Sequence, residues 1–294
     1  MALLLIVLCA CSSSPGAVDL QTPDSAAARV GDVEVFATLP ARTEGIAFGK
    51  DPGGATALYV GAADALWRLD AAGQASRVAD VPDPVGIAVR ADGDVLVCGK
   101  DASGREAVIW RVKPSGERSL LVGPAGYQLT NFVVVAPDDR LLFSDSGADK
   151  LYLAEADGSG ARLLTDQIVY PNGLAFSKDG GTLFVASWST RKVYQLPRQA
   201  PGYGAPQPFT SDVALVDGIT TLASGALLFV TSNGLVRLEQ DQTRRSFAVP
   251  DAIPANGASG RGAFGEGWLY LSNLASGAVL RHYLGEPGAP LPAR

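Results

Sequence analysis

One short segment recurs six times along this chain of 294 residues, each time as a break that opens an apolar stretch. The six copies read EGIAF, VGIAV, NFVVV, NGLAF, DGITT and NGASG, at residues 44–48, 85–89, 131–135, 172–176, 217–221 and 256–260. Successive copies are separated by 41, 46, 41, 45 and 39 residues. A period of this length is typical of a β-propeller, in which each repeat is one four-stranded blade. We therefore predict an all-β fold, a six-bladed β-propeller.

The remainder of each repeat supports this prediction. Blade four, at 170–196, reads as an apolar strand, a Lys-Asp-Gly-Gly turn, a second strand, a polar break and a third strand with alternating residues. A ring of blades leaves the last sheet one strand short unless the chain ends meet. The alternating segment at 32–40 is predicted to supply that closing strand. The propeller is predicted over residues 30–284, with a C-terminal tail at 285–294.

The N-terminus is a separate region. Residues 1–11, MALLLIVLCAC, form an apolar stretch that is too short to span a bilayer but long enough for the core of an export signal. Its end resembles a bacterial lipobox, which predicts a lipoprotein signal at 1–11, lipidation of Cys11 and a flexible tether at 12–29. An unprocessed hydrophobic N-terminus is the alternative. The expected location is the cell envelope, on the periplasmic side of the outer membrane in a Gram-negative organism.

Several other functions are disfavoured by what the sequence lacks. The net charge is −6 and no basic stripe accompanies it, which argues against nucleic acid as a partner. His282 is the only histidine, so a histidine-dependent triad would depend on that residue alone. Cys98 lies in the apolar run DVLVCGK and is interpreted as a packed core thiol. We expect a monomer that contacts the membrane through its lipid only.

The residue that starts each repeat is the main candidate for function, because equivalent positions of propeller blades meet at one mouth of the central channel. In five of the blades this residue carries a side-chain oxygen that suits a divalent cation, namely Glu44, Asn131, Asn172, Asp217 and Asn256. Asn-Gly and Asp-Gly are also common turn dipeptides, which is the alternative for each one taken singly. Three of only five asparagines share this repeat position, which favours a metal site. Asn256 is the weakest member and is interpreted as a loop residue.

The segment YPNGLAFSKDGGTLFVAS at 170–187 resembles the senescence marker protein, gluconolactonase and luciferin-regenerating enzyme superfamily, which is related to paraoxonases and strictosidine-synthase-like proteins. TEG at 43–45 and VDG at 216–218 are similar to other motifs of that family. The resemblance implies one divalent ion, most often Ca²⁺, with Mg²⁺, Mn²⁺ or Zn²⁺ as alternatives, held by Glu44, Asn131, Asn172 and Asp217. It also implies hydrolysis of a small lactone or ester, with Asp217 assisting the attacking water.

The sequence departs from the sugar-lactonase pattern beside Asn131. Where gluconolactonase-like members carry Arg-x-Asn-Asp, this chain has Leu129 and Phe132 in place of the charged residues. A polyhydroxyl substrate is therefore disfavoured. An apolar substrate-binding rim is expected from Tyr127, Leu129, Phe132 and Trp188, although packing between blades is an alternative for some of them. A non-catalytic propeller that binds a ligand or a protein remains open, and a strictosidine-synthase-like condensation is a third, weaker possibility.

Overall fold

The computed structural model describes residues 28–290. The predicted signal, the Cys11 lipidation site and most of the tether lie outside these residues, as do the last four residues of the tail. Within 28–290 the only helices are two single 3₁₀ turns, Ser146–Ala148 and Gly262–Phe264. Across the same residues, no helix has the length and apolar character needed to cross a bilayer.

The chain forms six antiparallel blades, as the repeat period predicts. The first strand, β1 (Val33–Thr38), is followed by blade one: β2 (Thr43–Lys50), β3 (Thr56–Ala62), β4 (Ala65–Leu69) and β5 (Ala75–Asp80). Blade two consists of β6 (Ile87–Val89), β7 (Val95–Lys100), β8 (Ala107–Val112) and β9 (Arg118–Val122). Blade three consists of β10 (Thr130–Val135), β11 (Leu141–Asp145), β12 (Lys150–Ala154) and β13 (Arg162–Thr165).

The second half of the ring repeats this order. Blade four consists of β14 (Pro171–Phe176), β15 (Thr182–Ser187), β16 (Lys192–Gln199) and β18 (Gln207–Ser211), with a two-residue strand β17 (Gly202–Tyr203) paired to the end of β16. Blade five consists of β19 (Val216–Thr221), β20 (Leu227–Thr231), β21 (Gly234–Leu238) and β22 (Arg244–Phe247). Blade six contains β23 (Pro254–Ser259), β24 (Trp268–Asn273) and β25 (Ala278–Tyr283).

The predicted closing strand is confirmed. β1 pairs antiparallel with β25, so the outermost strand of blade six comes from the N-terminal end of the propeller. Arg281 of β25 also forms an ion pair of 2.6 Å with Glu34 of β1. Because the first and last described strands hydrogen-bond to each other, blade six has four strands like the other blades and the two ends of the ring are joined.

The core lies between neighbouring blades. At the junction of blades six and one, the rings of Phe36, Phe48, Phe264 and Tyr270 pack together with centroid separations of 4.9 to 5.8 Å. Aromatic pairs of this kind contribute roughly 0.5–1.5 kcal/mol each beyond the area they bury. The first strand of every blade contacts the first strands of the two adjacent blades, which closes a circle around a central channel.

Candidate metal centre in the channel mouth

The repeated polar residues lie at equivalent heights on the innermost strands. Glu44, Asn131, Asn172 and Asp217 are each the second residue of their strand, and Asn256 is the third residue of β23. We call these five polar residues at the channel mouth the ring. In all five strands the regular pairing with the second strand of the blade is interrupted at this point. The register shifts between the first paired residue and the rest of the ladder, as in a β-bulge. A β-bulge rotates the side chain at which it occurs and is common beside functional sites. Because of these bulges, the polar residues do not follow the alternation of side chains between the two faces of the sheet that holds along the rest of each strand.

Glycines allow the innermost strands to approach each other at the same height. A β-carbon on Gly45 would overlap the carbonyl oxygen of Val85 in the next blade. A β-carbon on Gly173 would overlap the carbonyl oxygen of Asp217. A side chain at either position would force adjacent strands apart, so the glycines that follow Glu44 and Asn172 keep the ring narrow.

Three oxygens of the ring are buried without a hydrogen-bond partner among the described residues, namely Asn172 Oδ1, Asp217 Oδ1 and Asn256 Oδ1. The amide nitrogens of two ring members have partners instead. Asn131 Nδ2 donates to Ser146 Oγ at 3.0 Å, and Asn256 Nδ2 donates to the carbonyl oxygen of Glu44 at 3.2 Å. Buried polar atoms without partners are rare and costly, so several oxygens together indicate a place for a cation.

The two carboxylates of the ring are held in unfavourable surroundings. Burial raises the pKa of Asp217 to about 8, the negative charge of Glu44 adds to this effect, and the neighbouring Asn172 side chain opposes it. Burial also raises the pKa of Glu44 to about 7, partly opposed by Arg42, whose nearest nitrogen lies 3.6 Å from Glu44 Oε2. Desolvation and like charge both disfavour the ionised forms. A bound divalent cation would reverse this preference by neutralising both carboxylates.

The donor set fits a hard cation. Two carboxylates and several amide oxygens are the ligand types that Ca²⁺ and Mg²⁺ prefer. Among residues 28–290, no three His, Cys, Asp or Glu side chains form a potential metal-binding group. The amide oxygens are therefore needed to complete the site, and the ring lacks the nitrogen and sulfur ligands on which zinc sites depend.

Comparison with known proteins agrees with this architecture. The family model described as SMP-30/gluconolactonase/LRE-like region matches residues 53–262. The chain belongs to the SMP-30/gluconolactonase/LRE-like family. The match begins after Glu44, so that ring member is placed by the structure and not by the family match. No curated protein sequence matches the chain.

Solved structures with the same fold include three named proteins. A gluconolactonase from Xanthomonas campestris is 21% identical over 90% of this chain and 93% of its own, with a TM-score of 0.74. A luciferin-regenerating enzyme is 18% identical over 90% of this chain and 99% of its own, with a TM-score of 0.69. The calcium-binding protein regucalcin from Agrobacterium tumefaciens is 17% identical over 88% of this chain and 97% of its own, with a TM-score of 0.67. At these identities the likeness shows a shared fold.

Asn256 is the ring residue whose local structure was predicted wrongly from the sequence. It is not the loop residue expected from the sequence, because it lies within β23 and is 4% exposed. Its backbone nitrogen donates to Ser272 Oγ at 2.9 Å, and its side chain bonds to Glu44 of blade one. Its oxygen lies beside Gly218, the neighbour of Asp217. This SMP-30/gluconolactonase/LRE-like chain therefore has a fifth polar residue in its ring, and the repeat phase was the signal that could have identified it.

The four residues expected at an apolar rim occupy different environments. Trp188 follows β15 at the mouth end and is 37% exposed. Leu129 is half-buried in the loop before β10, where its backbone nitrogen donates to Asp145 at 2.8 Å. Phe132 borders the central channel on the side of the polar residues that faces away from the mouth. Tyr127 is buried with its ring edge-on to Phe143, so it belongs to the packed interior and not to the rim.

Tyr170 is a rim residue that sequence reasoning did not single out. Its ring centroid is 5.7 Å from that of Trp188, and the charges of Asp217 and Glu44 contribute to a raised pKa of its hydroxyl after the larger effect of burial. Its backbone has φ = 45°, which is rare for a bulky residue and is a form of strain found at functional sites. Asp149 accepts a hydrogen bond of 2.7 Å from its backbone nitrogen, which helps to hold this conformation. The bulky residue directly before Pro-Asn-Gly was the available sequence signal.

The two remaining candidates for catalysis lie away from the mouth. Cys98 is fully buried, and burial raises the pKa of its thiol, so it is not a nucleophile. His282 lies fully buried on β25, in edge contact with Phe247. Neither side chain reaches the ring.

Proposed function

We propose that this protein hydrolyses an apolar lactone or a related ester with the help of one divalent cation, Ca²⁺ being the best match. Glu44, Asn131, Asn172 and Asp217 would hold the ion, with Asn256 as a fifth oxygen donor. The observation that carries the proposal is the group of buried ring oxygens without partners, in a chain of the gluconolactonase-like family. When bound, such an ion supplies a positive charge that polarises the carbonyl to be attacked.

The protein residues supply the proton transfer and the substrate contacts in this proposal. Asp217 can accept the proton of the attacking water, because it is a carboxylate of the ring and would be ionised beside the bound ion. Trp188 and Tyr170 form an aromatic wall at the mouth. Val169, two residues before β14, and Ile253, directly before β23, are also exposed at this end. An apolar body attached to the reacting carbonyl therefore fits this rim better than a sugar lactone.

The deciding experiment compares Asp217→Asn with wild type at saturating Ca²⁺, using apolar lactones and aryl esters first and gluconolactone second. The substitution retains an oxygen ligand but removes the base, so turnover should fall by about 10²- to 10⁴-fold while metal affinity falls moderately. Asp212→Asn, in the exposed loop between blades four and five, is the control and should leave turnover unchanged. Asn131→Asp adds a charge to the ring away from the position of the base and should not rescue Asp217→Asn.

Two outcomes would contradict the proposal. Equal turnover by Asp217→Asn and wild type at saturating metal would exclude Asp217 as the base. Absence of turnover by the calcium-loaded wild type, over the whole substrate panel, would favour a non-catalytic binding propeller.

A further inference from the structure

The central channel contains a cavity at the end opposite the metal centre. The cavity has a volume of about 250 Å³ and is bordered by residues from the innermost strands of all six blades. These residues follow the ring positions along their strands, such as Ile46 after Glu44 and Ile219 after Asp217. The segment 288–290 borders it as well, held by a hydrogen bond of 2.8 Å from Ala289 N to Thr221 O. The cavity is therefore separate from the rim that faces the metal centre.

The walls of this cavity are mostly apolar, and their polar groups are nearly all engaged. The hydroxyl of Thr220 donates to Gly257 O at 3.0 Å, and that of Thr221 donates to Phe176 O at 2.6 Å. Two polar groups remain. Ser259 Oγ is buried without a hydrogen-bond partner among the described residues.

The second remaining group is the guanidinium of Arg261, two residues after Ser259. Arg261 is the only charged residue among the described residues that border the cavity. No ion pair or hydrogen bond of its side chain is found within residues 28–290. A solvent-exposed cation and a buried hydroxyl, two residues apart in the chain, thus both border the apolar cavity without partners, and both are hydrogen-bond donors suited to a carboxylate.

We propose that this end of the channel binds an aliphatic carboxylate, with its chain between the blades and its head group at Ser259 and Arg261. The apolar walls match the hydrocarbon chain, and the single unpaired cation matches one negative charge. The cavity volume of about 250 Å³ limits the ligand to a chain of medium length. This site is independent of the proposed hydrolysis, so either proposal can fail without the other.

The test titrates purified protein with hexanoate, octanoate and decanoate by calorimetry. Each further buried methylene should strengthen binding about fourfold until the cavity is filled. Arg261→Gln should weaken decanoate binding about fivefold, the amount expected for an ion pair at a partly exposed rim. Arg245→Gln is the matched control, because Arg245 is exposed on the outer strand of blade five and should have no effect. Binding should persist in excess chelator.

A substitution inside the channel tests the position of the chain. Ala88 borders the cavity, and Ala88→Leu should reduce decanoate affinity by occupying part of its volume. Its melting temperature and circular dichroism spectrum, compared with those of wild type, establish that the blades remain folded. The proposal is overturned if wild type shows no saturable binding, or if Arg261→Gln and Arg245→Gln weaken binding equally. Unchanged affinity in both Arg261→Gln and Ala88→Leu would show that the carboxylate binds elsewhere on the protein, and it would also overturn the proposal.

Discussion

Calcium affinity should depend steeply on pH, because the ring must lose protons before it can bind a cation. With a pKa of about 7 for Glu44 and about 8 for Asp217, both carboxylates are ionised together in roughly half of the metal-free molecules at pH 8. That fraction falls to about one in twenty at pH 7 and about one in a thousand at pH 6. The dissociation constant should therefore rise about tenfold from pH 8 to pH 7, and about fiftyfold from pH 7 to pH 6.

Isothermal titration calorimetry of metal-free protein measures this effect directly. At pH 7, buffers with different ionisation enthalpies should reveal the release of about 1.4 protons for each calcium bound. Asp217→Asn removes one of the two titrating groups, so the change between pH 7 and pH 6 should decrease to about fivefold, the value for Glu44 alone. A dissociation constant that stays constant from pH 6 to pH 8, with no buffer dependence, would refute the reasoning, since it would mean that the carboxylates are already ionised in the empty ring.

Three further predictions concern other parts of the molecule. Burial lowers the pKa of His282, so the unfolded chain gains a proton near pH 6.5 while the imidazole stays neutral in the folded protein. Stability should therefore fall as the pH decreases below 6.5, and the difference in urea midpoint between pH 7 and pH 5 should be smaller in His282→Leu than in wild type. Gly173→Ala should destabilise the protein by about 1–3 kcal/mol in urea titrations, because its β-carbon overlaps Asp217 O, whereas Gly202→Ala, where an added β-carbon meets only an Arg162 side-chain nitrogen at 4.0 Å, should cost less. We also propose that the native protein begins at Cys11 with a lipid attached; mass spectrometry showing an unmodified Met1 on membrane-free native protein would disprove this.

The architecture could be predicted from the sequence because a propeller repeats one local pattern. Each blade is built mainly from hairpins between neighbouring strands, so turn residues and alternation specify it locally. A fixed repeat position corresponds to a fixed height in the ring, which is why spacing alone was enough to predict that Glu44, Asn172 and Asp217 share one end of the channel. The closing strand was predictable for the same reason, since the last blade would have three strands instead of four without it.

Side-chain direction and partners were decided only by the tertiary structure. Asn256 joins the ring through a hydrogen bond to Glu44, a residue 212 positions away, and no local pattern reports such a contact. Tyr127 and Trp188 have similar aromatic character, yet Tyr127 packs inside the protein and Trp188 stands at the mouth. Whether an aromatic side chain packs inside the protein or stands at the mouth depends on the neighbouring blade. The bulges at the strand starts also change the direction of side chains there. The raised pKa values of Asp217 and Glu44 have the same origin, because desolvation arises only when the blades close around the channel.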